Sequence, residues 1–226
     1  MKTMRHELKH LIHQGDYLAI KNQLKWIMKP DAHVDSSGHY VIRSLYFDNY
    51  QDKALVEKLS GVSEREKFRI RYYNNNTEFI KLEKKCKKNQ LSTKLSANLS
   101  KEECQKILNG DWKFLKESEV PLLIEFYSKL YNQQLRPKTI VDYIREPYVY
   151  RAGNVRVTFD SQIRTGLYSK DFFSTSLPTM RALEHGYYIM EVKYDNFLPE
   201  LIQTAIQIGN RHSAAFSKYA ACRVYE

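Results

Sequence analysis

Between Lys67 and Lys88 the sequence reads KFRIRYYNNNTEFIKLEKKCKK, with its charged residues on alternate positions. Lys67, Arg69, Arg71 and Tyr73 alternate with Phe68, Ile70 and Tyr72; after Asn74, Asn75 and Asn76, Lys81, Glu83 and Lys85 alternate with Ile80 and Leu82. Side chains on a strand alternate between faces, so this is a hairpin with one apolar and one mainly cationic face, its turn supplied by the asparagines. Guanidinium groups suit multidentate binding of phosphate, and lysines add point charges. A carboxylate among such groups suits a ligand for Mg²⁺ or Mn²⁺ bridging phosphate oxygens. Glu83 is one such carboxylate, although for it and for Glu7 neutralising neighbouring lysines is a more natural role than metal ligation.

The pattern recurs. Lys9 shares a strand face with Arg5 and Glu7, Arg145 lies in TIVDYIREPYVY, and Arg156, Thr158 and Asp160 oppose Val155, Val157 and Phe159. In YYIMEVKY, Glu191 and Lys193 oppose Met190 and Val192. An ordinary solvated surface intersperses more acids among its bases. If these strands close into a barrel, Lys9, Arg69, Arg71, Lys81, Lys85, Arg145, Arg156 and Lys193 converge on a cationic lumen.

Composition agrees with an anionic partner. The 226 residues carry 36 Lys and Arg against 26 Asp and Glu, a formal charge of +10, which suits nucleic acid, an anionic membrane or phosphate-rich small molecules. No basic helix or aromatic strand set of the RNA-binding kind is present, which argues against nucleic acid. The standard glycine-rich nucleotide loops are absent, and the seven histidines form no H-E-x-x-H pair. Cys86, Cys104 and Cys222 are odd in number and widely spaced, as free thiols in a reducing compartment would be. No apolar run approaches the ~20 residues of a membrane span, and the basic start lacks the apolar stretch of a secretory leader. A cytoplasmic location is therefore expected, with no membrane segment in the chain, which leaves a membrane-protein partner open.

These strands need elements to position them. Apolar spacing predicts helices over residues 14–28, 101–108, 119–135 and 199–208, and a short one within 49–59. Strands are expected at 4–10, 39–48, the two arms of the hairpin, from 136 onward and at 187–194. Lys87 to Ser100 reads as a Lys- and Ser-rich connector and 168–180 as an irregular loop. No linker divides the chain, so one domain over 1–226 is expected; strands without regular crossover helices favour an antiparallel or mixed sheet.

Seven short segments in order, S-L-Y-F-D at 44–48, R-I-R-Y-Y at 69–73, L-E-K-K at 82–85, Y-I-R-E at 143–146, V-R-V-T-F-D at 155–160, M-E-V-K-Y at 190–194 and F-S-K-Y at 216–219, carry a resemblance over nearly the whole chain. It resembles the catalytic domain of the vacuolar transporter chaperone polyphosphate polymerases, within the CYTH-like triphosphate tunnel superfamily. The resemblance implies an α+β fold, an antiparallel β-barrel tunnel with helices packed outside. It also implies phosphate ligation by Arg69, Arg71, Lys9 and Lys85, with Tyr143 and Arg145 matching the family's Y-x-R and Arg156 its V-R strand. Glu191 matches the metal-ligand glutamate, and Ser217 and Lys218 the terminal phosphate-binding pair. Where the eukaryotic members have a second lysine this chain has Ala215. No SPX-type regulatory region is recognised.

The implied activity is Mn²⁺- or Mg²⁺-dependent transfer of the γ-phosphoryl of ATP to a growing inorganic polyphosphate chain. Two other readings stand beside it: a tunnel triphosphatase, and a non-catalytic module that binds polyanions.

Overall fold

The structure is a computed structural model that describes residues 5–34, 36–88, 91–207 and 216–224. Ile208, Arg211, His212 and Ala215 lie outside the described residues. In chain order the elements are β1 (His6–His13), α1 (Gln14–Ile27), β2 (Lys29–Pro30), β3 (Tyr40–Asp48), α2 (Lys53–Leu59), β4 (Glu64–Tyr73), β5 (Asn76–Lys88) and β6 (Leu91–Leu99). They continue with α3 (Lys101–Asn109), α4 (Lys113–Lys116), α5 (Pro121–Asn132), β7 (Arg136–Tyr150), β8 (Val155–Thr165), β9 (Met180–Arg181), β10 (Tyr187–Tyr194), α6 (Glu200–Ala205) and α7 (Lys218–Cys222).

All ladders are antiparallel, and the long strands run in the order β1-β10-β8-β7-β3-β4-β5-β6, with the two-residue β2 and β9 attached at β7 and β8. The sheet curls so that its edge strands approach each other, but among the described residues no continuous ladder closes it. Among the described residues, a single backbone bridge joins Arg5, just before β1, to Ser92 of β6, and Lys85 of β5 reaches Glu7 of β1 with its Nζ at 2.5 Å.

Local chemistry explains the elements. The β4–β5 turn holds Asn74 and Asn75 at φ of 48° and 55° between the paired Tyr73 and Asn76; a two-residue loop with both φ positive matches the twist of the strands it joins, and asparagine tolerates that region. Ser100 caps α3, accepting from the Glu103 amide while the Glu103 carboxylate accepts from the Ser100 amide, and Gly110 ends the helix at φ 87°. Pro121 begins α5, where its missing N–H is no loss.

The segment expected as a connector after the hairpin is instead strand β6, paired with β5 from Ile80↔Leu99 to Lys88↔Leu91. Leu95, Ala97 and Leu99 pack on one face, an alternation concealed by the polar Lys94, Ser96 and Asn98 around them. The largest core lies between the outer face of β3–β6 and helices α3–α5, with Phe47, Phe68 and Phe126 completely buried. A second joins α1 and α6 to β8 and β10. Because these cores take the apolar positions, the alternate positions face inward. Two short helices, α2 and α7, also reach the interior, through Ala54 and Lys58 and through Lys218 and Tyr219.

Candidate functional site

The curled sheet encloses a cavity of about 810 Å³. Among the described residues, fourteen lysines and arginines line it, against only Glu7, Glu66 and Glu191 as carboxylates. A wall so charged needs compensation, and the ion pairs show where it comes from.

On the hairpin, Arg69 pairs with Glu83, its cross-strand partner, at 2.7 Å, and donates to the Tyr46 hydroxyl at 2.9 Å. Arg71 donates to Ser44 Oγ and to the Tyr143 hydroxyl, both at 2.9 Å. Glu83 is 1 % exposed and also takes Lys94 at 2.9 Å. Burial opposes its ionisation, but Arg69, Arg71 and Lys94 hold its carboxyl far below the usual range. Glu83 thus neutralises the hairpin arginines rather than standing open to a ligand.

On β7, two strands from β4, Arg145 makes a two-pronged contact with its cross-strand partner Asp160, at 2.6 and 2.7 Å. Lys218 of α7 is a second cation on Asp160, and Glu191 lies 3.8 Å from Arg145. The ring of Tyr143 has three cations against it, Arg71, Arg145 and Lys218, at 5.8, 5.4 and 4.7 Å, a placement its electron-rich face favours. Arg156 reaches Asp31 and the Tyr40 hydroxyl, leaving its Nε buried without a partner.

Glu7 and Glu191 share the β1–β10 wall. Lys9 touches both, at 3.0 and 3.5 Å, while Lys85 and Lys193 each approach one at 2.5 Å. Burial and the neighbouring Glu191 would raise the Glu7 pKa, yet Lys9, Lys85 and Lys193 bring it down to about 2. Glu191, also disfavoured by burial, is held well below the usual range by Lys193, Lys9 and Arg145. Both are therefore carboxylates at neutral pH. Burial likewise opposes the charges of Lys85 and Lys193, whose pKa values fall.

Tyr46 is nearly inaccessible. Burial alone would push its phenol up, but Arg69, Lys67 and Arg71 bring it to about 7; Lys67, facing the ring at 5.4 Å, is itself lowered to about 8, mainly by burial. The sequence placed Lys67 on the cationic face of the hairpin and Tyr46 within S-L-Y-F-D, but gave no sign that the two would face each other inside the site.

The structure thus gathers Lys9, Arg69, Arg71, Lys85, Tyr143, Arg145, Arg156, Glu191, Lys193, Ser217 and Lys218 around one cavity. Lys81 is not among them: it shares the alternation of Glu83, but sits toward the turn end of β5 and is exposed. Ser217 has a structural task as well, its Oγ accepting from the Ala220 amide to cap α7. Asp48 of S-L-Y-F-D works structurally too, accepting from the Ala54 and Leu55 amides and from the Tyr219 hydroxyl.

A family model described as the VTC domain matches residues 4–225. The chain belongs to the VTC domain family. Among curated proteins, none matches it in sequence. Of solved structures, HpAC1 of Hippeastrum, described as a candidate adenylyl cyclase with a dominant triphosphatase activity, is 14% identical with a TM-score of 0.57, over 99% of this VTC domain and 96% of that chain. A candidate adenylate cyclase of Bacillus halodurans is also 14% identical, with a TM-score of 0.49 over 90% and 86% of the two chains. This VTC domain therefore has the triphosphate tunnel fold, with antiparallel strands around a cationic interior and most helices outside. No described helix is long and apolar enough to cross a membrane.

Proposed function

We propose that this VTC domain is a polyphosphate polymerase that moves the γ-phosphoryl of ATP onto the end of an inorganic polyphosphate chain. The observation that carries the reading is one cavity in which Arg69, Arg71 and Arg145 lie with the ionised Glu7 and Glu191. Family membership favours the polymer over water as acceptor.

In this reading Arg69, Arg71, Arg145 and Arg156 hold donor and acceptor phosphates in line and balance charge on the transferred group, with Lys9, Lys85, Lys193 and Lys218 adding to the field. Tyr143 keeps Arg71 in place through its hydroxyl. An anionic terminal oxygen of the polymer forms the new P–O bond to the γ-phosphorus, the bond from that phosphorus to the bridging oxygen breaks, and ADP leaves. The acceptor oxygen carries no proton, so this step needs no general base.

Glu191, with Glu7, has the oxygen donors that suit Mg²⁺ or Mn²⁺, and no group of three potential ligands occurs among the described residues; an ion there would take its remaining ligands from phosphate and water. When bound it would supply charge neutralisation to the phosphate oxygens. A second reading, hydrolysis of triphosphate, is favoured by the likeness to HpAC1 and by Tyr46, whose pKa of about 7 populates a phenolate that would accept a proton from attacking water and return to the phenol. Incubation of the purified protein with ATP and Mn²⁺ tests the choice. An acid-stable polymer ladder supports the polymerase, whereas orthophosphate release from ATP or tripolyphosphate without a ladder supports the triphosphatase.

A further inference from the structure

The acids of the cavity are unevenly spread. Glu83, Glu7, Glu191 and Asp160 serve its middle and its β1–β10 side. At the start of β4 this balance fails, because Glu66, the carboxylate lining the cavity there, is taken by Lys84 and Lys129. Arg65 and Lys87 are direct cross-strand partners, followed on the same face by the partners Lys67 and Lys85. Lys58 of α2 lines the cavity beside them, close enough that Arg65 and Lys87 depress its pKa once burial has done so. Among the described residues, none of Lys58, Arg65 and Lys87 forms an ion pair with a carboxylate; Arg65 donates one N–H to the Val62 carbonyl.

Like charges directly opposite on neighbouring strands are destabilising, so three half-buried cations gathered here are unfavourable until an anion joins them. Arg65 lies four residues before Arg69, about 13 Å along the strand. A triphosphate gripped by Arg69, Arg71 and Arg145 does not extend that far; a longer chain does.

We propose that Lys58, Arg65 and Lys87 form an outer anion subsite that holds phosphates of a linear polyphosphate chain beyond those in the central cluster, making the protein selective for chain length. The proposal rests on the polyphosphate reading above and adds the residues that distinguish long from short polyanions.

The test compares tripolyphosphate with long-chain polyphosphate by titration calorimetry at fixed ionic strength, for the parent and the Lys58→Gln, Arg65→Gln, Lys87→Gln triple variant. Glutamine keeps the aliphatic stems, and a thermal melt checks that the variant folds. Each exposed ionic contact is worth a small factor, so losing three should weaken long-chain binding roughly tenfold, with tripolyphosphate changed by less than about twofold. Using the parent as reference removes the advantage a long chain gains from its many binding registers. Equal losses for both ligands, or none for either, would overturn the outer subsite while leaving the central reading intact. A parent that binds neither ligand would overturn both.

Discussion

Asp160→Asn tests the electrostatic design of the cavity most directly. Asp160 is completely buried, receives two hydrogen bonds from Arg145 and pairs with Lys218. The amide removes the charge, keeps the volume, and turns a donor toward a guanidinium that has none to accept with. Removing one partner of a buried ion pair costs about 3–5 kcal/mol. Glu191, 3.8 Å from Arg145, offsets part of this, so the lower end is expected. At roughly 2–4 °C per kcal/mol for a domain of this size, the melting point should fall by about 10 °C. Circular dichroism melts at neutral pH, with and without tripolyphosphate, provide the assay. The ligand should restore more stability to the variant than it adds to the parent, because its charge replaces the missing one. The Asp160 pKa is lowered: burial opposes its ionisation, but Arg145 and Lys218 prevail. Its contribution is therefore present above the ordinary carboxylate value and lost as pH falls through the depressed one, so the two melting points should converge in acid. Parent and variant melting together at neutral pH, with equal response to ligand, would refute the claim that Asp160 compensates Arg145 and Lys218.

Three further outcomes follow from the same geometry. Glu191→Gln should abolish Mn²⁺- or Mg²⁺-dependent turnover while tripolyphosphate binding by calorimetry persists, since the arginines remain; full turnover at ordinary Mn²⁺ would move the metal role to another carboxylate. Arg71→Ala removes the hydrogen bonds to Ser44 and Tyr143 and should weaken triphosphate binding by ~1.5–3 kcal/mol for each lost charge-assisted contact; unchanged affinity would remove Arg71 from the site. In the empty protein, ultraviolet titration should show one phenol ionising near pH 7, absent in Tyr46→Phe. Because that pKa is depressed from ~10, the phenol adds stability as pH rises from about 7, and bound polyphosphate should shift the ionisation upward; a profile without an early step would refute the assignment.

Much of this was legible in the chain because a strand presents side chains with period two. That rule put Arg69 and Arg71 opposite Phe68, Ile70 and Tyr72, and Glu191 opposite Met190 and Val192, before any pairing was known. It also put Asp160 on the face of Arg156, although nothing local showed that its partners would be Arg145 and Lys218, 15 and 58 positions away. The S-L-Y-F-D segment could be recognised as a motif, but that Tyr46 lies among the hairpin cations and Asp48 holds α2 depends on β3 pairing with β4. Strand β6 was hidden because Ser92, Lys94 and Ser96 give it the composition of a linker, while its leucines find their core only when β5 lies alongside. Lys81 failed in the opposite way: alternation sets a face but not a depth, and the length of the wall left it exposed. The sequence by itself thus determined which residues share a face and that the inner face would be basic. Only the curl of the sheet decided which cations meet a carboxylate and which are left for an anion, because electrostatic compensation depends on distances between strands far apart in the chain.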